Sequence, residues 1–427
     1  MMLPGVAGLQ QTTSYKVVLP FYVYAAISLL VGTLLLLFHT SIFEQHHFSP
    51  TTLAITHTMT LGWGTMIIFG ASHQLLPVLI SGKLHSNILA YITFGFTSIG
   101  IPLLVYGFYV FNTGWALKTA AILINCGVIS YLINVSLSIK NSSKHEVHAW
   151  FVATASLWLF STTFYGLLLV FNFSIPILPK DSVTYLSIHA HLGLIGWFLI
   201  LVLGVGSRLI PMFLISKYSN STTLWWIFGL VNTSLISFLV FETLGVSSNF
   251  LYFSLLSGLT GIVLFVNHCR LAYKVRIRKN VDEQMKMSIL SVLQMLLPFV
   301  MMLIILTLLP SGNYPNLILL YGFCIFFGWI TSIIFGMTFK TLPFIVWNKV
   351  YHKKARQGKT PAPKELFSDK AYNAMSLAYI IGFVLMIIGI SFRIDLMIKI
   401  AALLLVLAAI FYVYNSAVTL FHKPKKQ

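Results

Sequence analysis

Apolar residues in this chain are gathered into long blocks separated by short polar intervals. Twelve blocks can be read, at about 18–43, 52–80, 87–111, 116–138, 148–172, 185–215, 222–244, 247–268, 286–309, 314–348, 371–391 and 396–420. Each is long enough to cross a hydrocarbon layer ~30 Å thick, which takes about 20 helical residues. A bilayer offers the backbone no hydrogen bonds, so such blocks predict helices that satisfy their own N–H and C=O groups. The predicted fold class is all-α, a polytopic membrane protein of twelve transmembrane helices. No interval is long enough to fold alone, and residues 1–427 read as a single transmembrane domain. The longest polar interval, Lys349 to Lys370 with Pro361 and Pro363, reads as a connector. Arg270–Lys286 reads either as a basic amphipathic extension at the lipid surface or as a stop-transfer anchor.

The blocks repeat. Gly62-Trp63, Gly70 and Pro77 recur as Gly196-Trp197, Gly204 and Pro211, and again as Gly328-Trp329, Gly336 and Pro343, at offsets of 134 and 132 residues. An aliphatic residue precedes each proline (Leu76, Ile210, Leu342), and six residues before each tryptophan stand His57, His191 and Phe323. A fixed period marks an internal repeat. The twelve helices thus fall into three pseudo-symmetric four-helix repeats, approximately 16–145, 146–280 and 281–427, with the motif on the second helix of each. The glycines predict close helix approach and the prolines a kink or a helix end. The second, sixth and tenth helices are expected to surround a common axis.

Composition agrees: 58% of residues are hydrophobic and 8% charged, against roughly 45–50% and 25% in soluble domains. The net charge of +18 does not indicate a nucleic-acid partner, because of where it sits. Lys83, Lys140, Lys144, Lys217, Arg270, Lys274, Arg276, Arg278, Lys279, the Lys349–Lys370 stretch and the tail Lys423, Lys425 and Lys426 occupy alternate intervals. By the positive-inside rule these are cytoplasmic, which puts both termini in the cytoplasm, and the basic excess meets anionic lipid. The first twenty residues show no cleavable signal, so the first helix is read as its own insertion signal. Cys126, Cys269 and Cys324 stand apart and read as small buried hydrophobes.

The candidate chemistry is imidazole. Polar groups within a bilayer are costly and tend to be functional. His57 and His73 lie in the second block, and His189 and His191 in the sixth. His57 and His191 are equivalent in the repeat and are expected at the same depth. His189, about 200° around the helix from His191, points elsewhere and would serve a neighbouring site. A neutral imidazole ligates haem iron and copper, so His57, His189 and His191 are the candidate cofactor-binding and metal-ligating residues, set against the plain reading that they hydrogen-bond to neighbouring helices. His73 lies too deep to join them. His46 and His47 would form a weak surface metal site or none. Arg208 and Lys340, which replace Gln74 in the repeat, are read as snorkelling to the interface, with contact to an anionic ligand from inside as the alternative. The nine acids lie at helix ends or in intervals, which argues against a carboxylate proton relay.

The segments Thr56-His57 to Gly62-Trp63, with Gly70 and Leu76-Pro77, and His189-Ala190-His191 to Gly196-Trp197, with Arg208 to Pro211, resemble motifs in the catalytic subunit of haem-copper oxidases and nitric oxide reductases. They also resemble the NnrS family, twelve-helix haem- and copper-containing proteins linked to nitric oxide metabolism. The resemblance implies a haem ligand at His57 and a copper ligand in the His189/His191 region. It departs from the oxidase pattern elsewhere: Ser221 to Glu242 contains no histidine and Phe323 stands at the repeat position of the tenth helix. A terminal oxidase is therefore not expected.

The resulting expectation is a haem-binding protein of a bacterial inner membrane, carrying haem b with copper as a second candidate, and serving electron transfer, nitric oxide handling or respiratory housekeeping. Its partners would be the bilayer and a redox partner or membrane subunit. Two alternatives stand beside it: a copper or haem transporter or assembly factor using the same histidines, and a structural subunit without cofactor.

Overall fold

The computed structural model describes residues 13–142, 146–308, 315–352 and 360–424. Lys144, Lys425, Lys426 and positions 353–359 of the basic connector lie outside them. Among the described residues the secondary structure is helical, apart from one isolated bridge between Ser216 and Arg276. Eleven helices are long and apolar enough to span a membrane: α1 Tyr15–Phe38, α3 Asn87–Tyr109, α4 Trp115–Lys140, α5 Val147–Asn172, α6 Ser182–Leu214, α7 Ser221–Leu244, α8 Leu251–Lys274, α9 Glu283–Leu308, α10 Asn316–Tyr351, α11 Asp369–Phe392 and α12 Asp395–Leu420. A further run, α2, comprises Pro50–His57, Thr58–Thr65 and Met66–Leu79. Its length would suffice, but His57, Thr58, Thr60, Thr65, His73 and Gln74 dilute its apolar character.

Helix starts follow capping rules. Ser49, Ser86, Asn220 and Ser368 each accept a backbone N–H of the first turn, from Thr52, Leu89, Thr223 and Ala371, replacing a bond that the helix cannot make internally. Pro77 and Pro211 lie near the ends of α2 and α6. Their carbonyls accept from Gly82 and Ser216 at 3.0 and 2.9 Å, and Ser81 and Ile215 turn into the left-handed region at φ 51° and 52°. α10 instead runs past Pro343 to Tyr351. Of the Arg270–Lys286 segment, Arg270–Lys274 continues α8 and Glu283–Lys286 opens α9; between them the chain turns, and Ile277 N–H bonds Ile215 O at 3.1 Å.

The chain divides into two compact units. The first comprises Met1–Val17, Ser72–Asn280 and Met295–Tyr314; the second comprises Val18–Ala71, Val281–Gln294 and Pro315–Gln427. In the first, α4 packs on α3 and α5, α8 on α7, and α6 on α5 and α8. In the second, α11 packs on α12 and α10 on α12 and the Glu283–Gln294 half of α9. Trp197 in the first unit and Trp63 in the second are fully buried, whereas Ile88, Leu157, Leu377 and Phe421 project outward. Apolar outward faces suit lipid as the surrounding medium.

Four local arrangements recur along the chain. The motif glycine of α2, α6 and α10 lies where another helix comes within van der Waals reach: a Cβ on Gly70 would fall 2.9 Å from Phe21 Cβ, on Gly204 2.3 Å from Phe151 Cβ, and on Gly336 2.1 Å from Ser288 Oγ. Asn134 bonds both backbone polar groups of Ser86, at 3.0 and 2.8 Å, and Asn415 does the same to Ser368 at 2.8 and 3.0 Å. Tyr131 OH donates to Ser72 Oγ at 3.0 Å, and Tyr412 OH shares a 3.1 Å bond with Thr338 Oγ1. At the corresponding positions of the middle stretch both hydroxyls are missing, and the Phe265 ring meets Gly206 instead. The fourth recurrence is in the backbone. Thr58–Thr65, Leu192–Leu199 and Cys324–Ile330 are each wound as π-helix.

Candidate functional site

His57 and His191 occupy the residue immediately before a π-helical stretch, with φ/ψ of −73/−28° and −73/−27°. Each engages the carbonyl one turn back through Nδ1, His57 to Leu53 O and His191 to Ser187 O, both at 2.8 Å. A histidine that ligates a metal commonly commits its other ring nitrogen to a backbone carbonyl or carboxylate, which fixes the tautomer and the ring direction. π-Helical insertions rotate the following residues and often mark functional sites. Neither the π winding nor the shared Nδ1 bond was legible in the order of residues.

The two rings differ in their surroundings. His57 belongs to the second unit and His191 to the first. The His191 ring lies 4.5 Å from that of Phe238 on α7. Ser187, whose carbonyl holds His191, donates its hydroxyl to Glu242 Oε1 at 2.8 Å. A carboxylate therefore stands one side chain from His191, a connection that the position of Glu242 at a helix end did not reveal. His189 faces another helix: a Cβ on Gly166 of α5 would fall 2.8 Å from its Cε1, so glycine there makes room for the ring. The two-residue spacing does send His189 and His191 in different directions.

His73 is buried against Tyr131, ring centroids 5.6 Å apart, and its carbonyl accepts from Thr13 Oγ1 at 2.6 Å. At Phe323, the third repeat position, the ring stacks on Phe327 at 5.2 Å and Phe383 at 5.5 Å, so aromatic packing takes the place of imidazole. The Lys340 side chain is 11% exposed and pairs with Asp282, just before α9, whereas Arg208 is exposed. Cys269 and Cys324 are buried and Cys126 half-buried.

The His46 and His47 rings lie with centroids 4.0 Å apart, tilted by 32°. Burial, and then the neighbouring His46, hold His47 below the ordinary histidine value of 6.5. Among the described residues no three His, Cys, Asp or Glu side chains converge in a metal-holding group. No protein-family model matches the chain, and no curated protein matches it.

Proposed function

We propose that this chain is a haem-binding protein of a bacterial inner membrane, with haem b as cofactor and His57, His189 and His191 as its candidate ligands, related to the haem-copper oxidase and NnrS groups its motifs resemble. The observation that carries this reading is the matched preparation of His57 and His191. Two imidazoles 134 residues apart share backbone angles, an Nδ1 bond to the i−4 carbonyl and a following π-helix. Committing Nδ1 to the backbone makes Nε2 the ligating atom, as in histidine ligands generally. A haem held this way supplies one-electron chemistry, suited to electron transfer, nitric oxide handling or respiratory housekeeping. Oxygen reduction is not part of the reading, since the tenth helix carries Phe323 and the seventh no histidine.

The same reading takes α2 as a twelfth span, puts both termini in the cytoplasm on the strength of the alternating basic loops, and groups the helices into three pseudo-symmetric repeats. Support for the repeats comes from glycine contacts at Gly70, Gly204 and Gly336, π-helices at all three motifs, and the coordinated loss of both hydroxyls at Phe265 and Gly206.

The test is an absorption spectrum of purified protein, oxidised and dithionite-reduced. A Soret band is expected, strongly altered in His57→Ala and in His191→Ala and nearly unchanged in His73→Ala. Haem-free protein from haem-replete cells, or intact spectra in both of the first two variants, refutes the reading. Growth phenotypes that depend on metal without a bound chromophore would point to transport or assembly instead.

A further inference from the structure

The half of α9 that lies in the second unit carries polar side chains where its counterparts carry apolar ones. Beside Gly336 of α10 stands Ser288, where Phe21 stands beside Gly70 and Phe151 beside Gly204. One turn earlier, Gln284 corresponds to Val17 and Val147. All four counterparts are buried. Gln284, Met287, Ser291 and Gln294 follow at helical spacing on one face of α9, and all are buried too. A polar face inside a membrane helix is costly unless it meets partners.

Part of that face meets α10 and α11 directly. Ser291 Oγ donates to Trp329 O in the π-helix of α10 at 2.7 Å. Tyr379 OH of α11 lies 2.8 Å from Phe327 O, 3.0 Å from Gly328 O and 2.9 Å from Ser332 Oγ. Ser332 Oγ in turn lies 3.8 Å from Met287 Sδ. At the other end Lys340 pairs with Asp282, their side chains 11% and 26% exposed. Between the two ends Phe335 meets Tyr379 and Phe339 meets Tyr372, with ring centroids 5.3 Å apart in each pair.

The remaining polar atoms are unmet. Among the described residues Gln294 Oε1, Tyr372 OH and Ser376 Oγ are buried without a hydrogen-bond partner. Tyr372 is fully buried and Gln294 is 7% exposed. Gln294 stands one turn beyond Ser291, and Ser376 stands one turn from both Tyr372 and Tyr379, so the unmet atoms border the bonded ones. Buried polar groups that the protein leaves unmet are ordinarily completed by ordered water with two or more polar neighbours. Hydroxyls and a carboxamide are neutral groups that both donate and accept, and no three His, Cys, Asp or Glu side chains converge among the described residues. That chemistry suits water rather than a metal ion or an anion.

We propose that α9, α10 and α11 enclose a water-filled seam in the second unit. It opens at the Lys340–Asp282 pair, passes Tyr372 and Ser376, and ends at Gln294 and Tyr379 beside the π-helix of α10. This inference stands apart from the haem reading and does not depend on it.

Radiolytic footprinting tests it, because hydroxyl radicals formed from bound water modify the side chains beside that water. Protein in lipid nanodiscs is irradiated with X-rays, and oxidation is read by mass spectrometry. Met287 and Met386 are both buried, but only Met287 borders the seam, so Met287 is expected to oxidise several-fold faster. Tyr372 and Tyr379 should likewise exceed Tyr131, which is fully buried elsewhere. Gln294→Leu and Ser376→Ala each remove a polar anchor and are expected to lower the labelling of Met287 and Tyr379 several-fold. Ser376→Ala is the milder change and keeps the test in hand if Gln294→Leu fails to fold. Equal oxidation of Met287 and Met386 overturns the proposal. So does labelling of Tyr379 with Tyr372 unmodified, which would bring the water in from another side, and so does wild-type labelling in both variants.

Discussion

Replacing the motif glycines by alanine measures how closely the helices approach. In Gly204→Ala the new methyl would lie 2.3 Å from Phe151 Cβ and 2.7 Å from Phe151 Cγ. Carbon atoms prefer about 3.5–4.0 Å, so more than 1 Å must be recovered. Rotating the phenyl ring cannot recover it, because Cβ is fixed to the backbone. α5 must move away from α6, and overpacking of this kind costs about 1–3 kcal/mol. Gly336→Ala should lie at or above the top of that range, since two of its obstructions, Gln284 O at 2.6 Å and Ser288 N at 2.9 Å, are themselves backbone. Gly70→Ala, whose nearest neighbour is 2.9 Å away, should lie near the bottom. Gly95 and Gly229 have nothing within 4 Å of the methyl that alanine would add and serve as controls, in which alanine gains up to about 1 kcal/mol of helix propensity. Denaturant unfolding in mixed micelles, followed by circular dichroism, reads the series. If Gly204→Ala and Gly336→Ala match Gly229→Ala in stability, the close approach is wrong and the glycines need another explanation.

Two further outcomes follow from single contacts. Lys340→Met leaves Asp282 without its cation, at a site between the exposed and buried limits; the expected loss lies between about 1 kcal/mol for an exposed pair and about 3–5 kcal/mol for a buried one. Replacing Asp282 by Leu in the same chain should restore most of it, and a silent Lys340→Met would show that the pair contributes nothing. His47 titrates below 6.5 in the folded protein, so as the pH falls through 6.5 the unfolded chain binds a proton that the folded one resists, and stability drops. Thermal midpoints measured from pH 7.5 to 5.5 should fall less steeply in His47→Asn; identical slopes would exclude His47 as a source of the acid sensitivity.

Much of this protein was legible in order of residues alone. Block length set the helices, because a backbone in hydrocarbon has no other way to satisfy its polar groups, and only the polar-diluted Pro50–Leu79 run falls short of the apolar standard of the rest. Identity at fixed offsets located the glycines, and the need for close approach explains them. The imidazoles His57, His189 and His191 were visible as costly groups in apolar blocks, and their two-residue spacing gave the divergence of His189 from His191. Tertiary structure decided what depends on partners distant in sequence. Glu242 reaches the His191 turn through Ser187 from 55 residues away, Lys340 is paired with Asp282 from 58 residues away, and the π-winding after both candidate ligands shows only in the folded backbone. Periodicity and composition report the medium that a residue meets; the atom it touches is set by packing between helices, which no single stretch of the chain encodes.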